Sequence, residues 1–346
     1  MSQKNESTVL VVSLLLTLGL VGAGLWWFTR ESDSGEEFQG TTQVTTKKLE
    51  AKTVETLAQL ENVPNGLFSY GGSTTWAPIR KEVDPAIQTV WPQFRLRYTD
   101  PTTGAPGSGS GIKMLLDNQL AFSQSSRPLK DEEYQRAEQR GFKLEAIPVA
   151  IDGIAIAVNP ELEIPGLTTS QLKDIYTGKL TNWNQVGGSN LPITPYSRRR
   201  EEGGTIEFFV ENILGGEEFA ANVEFIPTTT QALRKISEDI GGIYYASAPE
   251  IVPQCTVKSI PIGRTVDKLV TPYQEPFVPL SQCPGQRNQL NIAAFNKGDY
   301  PITRNLFVVV KKNGQVDEEA GNTYANLLLS NQGQELISNA GFVRIR

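Results

Sequence analysis

At 346 residues, 39% of them apolar and 8% aromatic, the chain is long enough for one large or two medium domains with a buried core. Its net charge of -6 and pI near 5.1 argue against nucleic-acid binding, which needs an excess of Lys and Arg on one face. With no histidine, it lacks Ser-His-Asp and Cys-His nucleophile pairs, His-bearing zinc sites and the commonest general base near neutral pH, so most hydrolase readings fall and the chain is expected not to be an enzyme.

Between positions 8 and 28 no residue is charged, and about 21 residues rising 1.5 Å each span roughly 30 Å, the thickness of a bilayer core. Trp26 and Trp27 close this run, where amphipathic rings favour the interface, and Arg30 follows. Bulky Leu25, Trp26, Trp27 and Phe28 stand where a signal-cleavage site would need small residues. Residues 1–30 therefore read as a retained signal-anchor helix, the alternative being a cleaved signal and a soluble periplasmic protein. No cysteine lies nearby, which excludes lipoprotein attachment. Residues 31–62, rich in Ser, Thr, Glu, Lys and Gln, read as a polar linker.

Beyond the linker, strand-like runs at 66–70, 94–98 and 120–123 alternate with helical periods over 76–91, from 111, and around 131–140. This rhythm predicts an α/β fold with a mainly parallel sheet and helices on both faces. The Val-, Ile- and Ala-rich run 147–158 reads as a buried strand that carries the chain into a second lobe. Thr168-Thr169-Ser170 opens a helix through 175, a strand covers 193–197, helices start after 204 and at 231, and 242–245 returns as a strand. The tail holds a strand at 306–310 and an amphipathic helix at 318–328. Cys255 and Cys283 are too few for a Cys-only zinc site and too far apart for a CxxC motif. An extracytoplasmic address lets them pair, at a loop-entropy gain of roughly 3.5 kcal/mol, so a disulfide is expected, against two unrelated buried thiols.

Three hydroxyl-rich turns each join a strand to a helix, the position where exposed N–H groups favour an anion. The first is Gly71-Gly72-Ser73-Thr74-Thr75, where Thr74 and Thr75 offer hydroxyl and N–H donors; the alternative is an N-cap with turn glycines. The second, Gly107-Ser108-Gly109-Ser110-Gly111, is neither a P-loop nor a G-x-G-x-x-G fingerprint. It suits a single tetrahedral anion, or is a flexible Gly/Ser loop. The third, from Ser197 through Arg198, Arg199, Arg200, Glu201, Glu202, Gly203 and Gly204 to Thr205, sets guanidinium, N–H and hydroxyl donors together; a solvated charge run is its alternative.

In this order the three turns resemble the phosphate-binding proteins of the phosphate ABC importer, from about residue 65 to the C-terminus. Asp174-Ile175-Tyr176-Thr177-Gly178-Lys179-Leu180-Thr181-Asn182-Trp183 is similar to that family's second-lobe signature, and Gly341-Phe342-Val343 to its C-terminal pattern. The resemblance implies a type II periplasmic-binding fold over 63–346, two α/β lobes joined by hinge strands. Lobe one would comprise 63–150 and 243–346, and lobe two 151–242. It implies capture of inorganic phosphate outside the cytoplasm for an ABC permease and its ATPase, by a monomer without cofactor or metal. By motif, Thr74, Thr75, Ser108, Gly109, Ser110, Arg199, Gly203, Gly204 and Thr205 would hold the anion. Some family members have an aspartate where Ser126 stands, to accept the proton of hydrogen phosphate. Others carry Ser-Arg there, which makes Ser126 and Arg127 the compensating pair. The alternatives are a receptor for sulfate, molybdate or tungstate, and an anchored sensor or scaffold that does not transport.

Overall fold

The computed structural model describes residues 54–200 and 203–346. Among these no helix is long and apolar enough to cross a membrane; the anchor expected over 1–30 lies outside the described residues, as does the linker up to residue 53.

Strand β1 (Gly66–Gly72), helix α1 (Ala77–Val90), β2 (Phe94–Tyr98), α2 (Ser108–Leu116), β3 (Phe122–Ser125) and α3 (Asp131–Gln139) lead into the long strand β4 (Lys143–Val158). Helix α1 carries Pro78 in its first turn, where a missing N–H costs nothing, and buries Ile79, Val83 and Ile87 as one stripe at four-residue spacing. Next come β5 (Leu167–Thr168), α4 (Thr169–Tyr176), β6 (Thr194–Ser197), α5 (Gly204–Asn212), β7 (Glu224–Phe225), α6 (Thr229–Glu238), β8 (Gly242–Ser247) and α7 (Ala248–Ile251). Thr168 caps α4 reciprocally with Gln171: its hydroxyl accepts from the Gln171 N–H at 3.1 Å, and its own N–H donates to the Gln171 amide oxygen at 2.8 Å. The short strands β9 (Lys258–Ser259), β10 (Ile262–Gly263) and β11 (Leu269–Val270) precede α8 (Ile292–Lys297), β12 (Thr303–Lys312), α9 (Val316–Leu329) and α10 (Asn331–Asn339).

The principal sheet runs β2-β1-β3-β12-β4-β8-β6-β7, with β9 paired to β4. Strands β1, β2 and β3 are parallel, as are β6, β7 and β8. Between the two sets β4 and β12 run antiparallel to each other, from Thr303 opposite Gly153 to Lys312 opposite Lys143. The parallel rhythm read from the sequence thus holds within each set, and the two long strands that join the sets run against their neighbours. In β4 the stretch from Ile154 to Val158 is fully buried, as expected of a strand covered on both faces.

Two large hydrophobic cores flank the crossing strands. One gathers residues of 57–150 and 306–342, among them Tyr70, Trp76, Phe122, Val308 and Tyr324. The other gathers residues of 154–302 with Val343. The segment 243–302, grouped with lobe one in the sequence reading, places Ile243, Tyr245, Val257, Phe295 and Ile302 in this second core, because β8 pairs with the far half of β4. The end of the expected linker is also docked. Leu57 is fully buried, accepts from the Trp91 indole at 2.8 Å, and lies beside backbone bonds from Asn331 and Gln332 to Val54 and Glu55. Leu57, with partly buried Leu60 packed against the same core, docks this otherwise polar end beside α1 and α10. Cys255 and Cys283 form a disulfide with Cα atoms 5.7 Å apart.

Candidate anion-binding site

The three hydroxyl-rich turns meet at one place. Glycine makes the approach possible: a Cβ on Gly72, whose φ is +125°, would lie 2.2 Å from the Gln124 carbonyl, and one on Gly204 would lie 2.4 Å from the Ser108 hydroxyl and 2.5 Å from that of Ser126. The start of α5 therefore packs directly on Ser108 of the second turn and on Ser126, which follows β3. The Ser73 hydroxyl donates to that of Ser126 at 2.9 Å, Ser126 and Ser108 hydroxyls stand 3.2 Å apart, and the Ser126 N–H donates to Ser108 at 3.1 Å. All three serines are buried. The Trp76 indole, bonded to the Ser125 carbonyl at 3.1 Å, and Arg80, bonded to the Ser73 carbonyl at 3.2 Å, fix the first turn.

Thr75 and Thr205 face each other with hydroxyls 3.3 Å apart, and both accept from one nitrogen of Arg304, at 3.1 and 2.8 Å. One of the two hydroxyls donates to the other, and the proton of its partner, which accepts from Arg304, remains available to an anion. Arg304 in turn is held by Asp152: two of its nitrogens donate to one carboxylate oxygen at 3.0 and 2.8 Å, and Ser247 donates to the other at 2.5 Å. Both side chains are almost fully buried, and the second terminal nitrogen of Arg304 has no hydrogen-bond partner. Beside these groups lies a small cavity of about 20 Å³ whose polar lining includes Thr74, Thr75, Arg198, Thr205, Thr229 and Glu250. Burial first, and then the Asp152 carboxylate, push the Glu250 carboxyl up to about 7, while Arg304, Arg198 and a hydrogen bond from Thr229 pull it down.

Of the residues singled out in the sequence, Thr74, Thr75, Ser108, Ser126, Gly204 and Thr205 come together. Gly203 joins them: its Cα would be 3.2 Å from a Cβ on Gly107, and its own Cβ would lie 4.0 Å from the Thr74 hydroxyl. Gly109 sits beside Glu207 and Arg127, and Ser110 turns its hydroxyl back to the Gly107 carbonyl at 3.1 Å. Arg127 is committed elsewhere, to Glu133 at 2.7 and 2.9 Å and Glu207 at 2.6 Å. Arg199 is exposed, its guanidinium 5.0 Å from the Phe225 ring, whereas its neighbour Arg198 lines the cavity. Asp152 and Arg304 were missed, although each is the single charge in an apolar strand run, 147–158 and 300–310, and a buried charge requires a partner. Chemically the site is an array of hydroxyl, N–H and guanidinium donors around a space lined by one carboxyl, suited to holding an oxyanion.

Comparison with known proteins gives the family and the fold. The family model of the PBP superfamily domain matches residues 39–332. The phosphate-binding protein PstS of Staphylococcus epidermidis is 27% identical over 276 residues, 79% of this chain and 77% of its own. A Clostridium perfringens protein whose crystal structure holds bound phosphate superposes with a TM-score of 0.64 at 23% identity, covering 81% of this chain and 100% of its own. An ABC-type phosphate transport receptor from Vibrio cholerae gives a TM-score of 0.59 at 21% identity, covering 80% and 99%.

Proposed function

Since the chain belongs to the PBP superfamily, we propose that it is an extracytoplasmic receptor that captures inorganic phosphate and delivers it to an ABC permease. The observation that carries this reading is the convergence of Thr75 and Thr205, from opposite sides of the crossing strands, on Arg304, beside a cavity that Arg198 also lines. The hydroxyl pair, held by the guanidinium, keeps one proton for an anion, and a helix start adds N–H donors. Capture and release need no bond to be made or broken, so no catalytic group is required. The kinship with phosphate-binding proteins of Staphylococcus epidermidis and Vibrio cholerae supports phosphate as the cargo.

We assign lobe one to 54–150 and 303–346, lobe two to 154–302, and the hinge to β4 and β12 where they pair around Asp152 and Arg304. Residues 1–30 tether a monomer to the membrane with its binding domain outside the cytoplasm. In the anion site Arg198, not Arg199, supplies the guanidinium, together with Thr74, Thr75, Ser108, Gly203, Gly204 and Thr205. Receptors of the same fold for sulfate or other oxyanions are the second reading, favoured by Ser126, a hydroxyl where an acceptor for a protonated anion would be an aspartate.

Calorimetric titration of the purified chain with phosphate tests the proposal. Saturable binding is expected, and Arg198→Ala should weaken it at least tenfold, since a charge-assisted hydrogen bond is worth about 1.5–3 kcal/mol. Arg199→Ala should leave it within about twofold, the range of a surface substitution away from the site. The opposite ranking would move the guanidinium role to Arg199, and no binding of phosphate would remove the receptor assignment.

A further inference from the structure

One carboxyl lining the cavity has no part in the donor array. Glu250 lies at the start of α7, immediately after β8, and shares the cavity with Thr74, Thr75, Thr205 and Arg198. The groups that act on it come from every side: Asp152 from β4, Arg304 from β12, Arg198 after β6, and Thr229 from the first turn of α6. Asp152 is spoken for, its oxygens taken by Arg304 and Ser247. Ser126 is spoken for as well, since it is fully buried, receives the Ser73 hydroxyl and stands against Ser108. Glu250 thus brings a carboxyl to a space otherwise furnished with donors.

Donor hydroxyls and N–H groups treat phosphate and sulfate alike, because both present tetrahedral oxygens of similar size. A carboxylate does not. It accepts a hydrogen bond from an anion that keeps a hydroxyl, and it repels one that presents only bare oxygens. We propose that Glu250 is the specificity-determining acceptor of this site, selecting a protonated tetrahedral anion over sulfate; this rests on the phosphate-receptor reading above.

The sign of the pH dependence follows from the elevated titration of Glu250, near 7. Above that pH the carboxylate is charged and excludes sulfate. Below it the carboxyl is protonated and donates to a bare oxygen, so sulfate is admitted. The apparent affinity for sulfate should therefore fall by up to about tenfold per pH unit above the titration point, the limit set by one proton per anion bound. Phosphate keeps at least one hydroxyl throughout the range of about pH 5 to 9 and should change far less.

The test is a phosphate titration of the full chain with sulfate as competitor, at about pH 6, 7 and 8, for the wild type and Glu250→Gln. In the wild type the sulfate-to-phosphate affinity ratio should drop steeply with rising pH. In the near-isosteric Glu250→Gln, with its fold checked by circular dichroism, the ratio should be flat and at least about tenfold higher at the alkaline end. Phosphate binding with the same pH-independent rejection of sulfate in both proteins would overturn the role of Glu250 while leaving the receptor reading intact. Failure of the wild type to bind phosphate at any of these pH values would defeat the receptor reading, and the role of Glu250 with it. The wild-type pH series stands as a test even if the variant does not fold.

Discussion

Arg304 spends its donors on three acceptors that belong to different parts of the chain: Asp152, Thr75 and Thr205. With side-chain exposures of 1% and 0%, Arg304 and Asp152 form a pair whose worth is set by what happens when it is broken. Removing one partner strands a buried charge, at a cost of about 3–5 kcal/mol, whereas removing both costs much less because no charge is left unpaired. Arg304→Met should therefore lower stability to urea by that amount, and adding Asp152→Asn should restore most of it. Phosphate affinity should stay low in the double variant, because Thr75 and Thr205 have lost the donor that aims their hydroxyl protons. Recovery of both stability and affinity would reduce Arg304 to a packing role. The donors at the turns were legible in the sequence only as one of two readings, since each turn could equally have been a helix cap, a flexible loop or a solvated charge run, and which arginine serves them was not legible at all. Arg127, Arg198, Arg199 and Arg304 are equal as letters. Burial, the carboxylates each one meets and the direction each one faces distinguish them.

At the level of elements, helix α5 is held from two sides. Its first turn packs on Ser108 and Ser126 through Gly204, while Glu207, one turn in, receives Arg127 at 2.6 Å and Lys130 at 3.4 Å. Glu133 at the start of α3 grips the same Arg127 at 2.7 Å, so one guanidinium fastens α5 to the segment that follows β3. The Lys130 contacts, with that side chain 34% exposed, add little; the buried Arg127 contact carries the fastening. Glu207→Gln keeps the shape and leaves Arg127 with Glu133, so the fold should survive. The two sides of the site should part more readily, and phosphate should dissociate about tenfold faster, a difference of about 1.4 kcal/mol in the relative stability of the gripped state. Stopped-flow displacement would measure it, and an unchanged dissociation rate would mean that α5 is fastened equally well by other contacts. No reading of the sequence pairs Arg127 with Glu207, which is 80 residues away, because neither position lies in a pattern that constrains the other.

Across the whole molecule, the alternation of strands and helices was legible because apolar runs of strand length and four-residue stripes such as Ile79, Val83 and Ile87 survive in the sequence. The way the chain returns was not. Nothing in the run from 243 to 302 says that it packs with 154–242, since Ile243 and Phe295 would fill either core equally well; the pairing of β8 with the far half of β4 decides it. The same strands make the two cores depend on each other. β4 contributes Val149 and Ala150 to one core and Ile154 to Val158 to the other, and β12 pairs with it across the boundary. Losing either core would expose half of β4 and unpair the ladder that carries Asp152 and Arg304, so the free energy of one is not separable from that of the other. Trp76 in one core and Trp183 in the other, both fully buried, are natural reporters. In two variants in which all the other tryptophans are replaced by phenylalanine, urea should quench the burial of Trp76 and of Trp183 at the same midpoint and with the same slope. Phosphate should raise both midpoints together, because the anion bridges turns that belong to both cores. Midpoints that separate, or a ligand shift confined to one tryptophan, would show that the crossing strands tether two independently folding units; coincidence in both experiments would mean that binding and folding are felt by the domain as one.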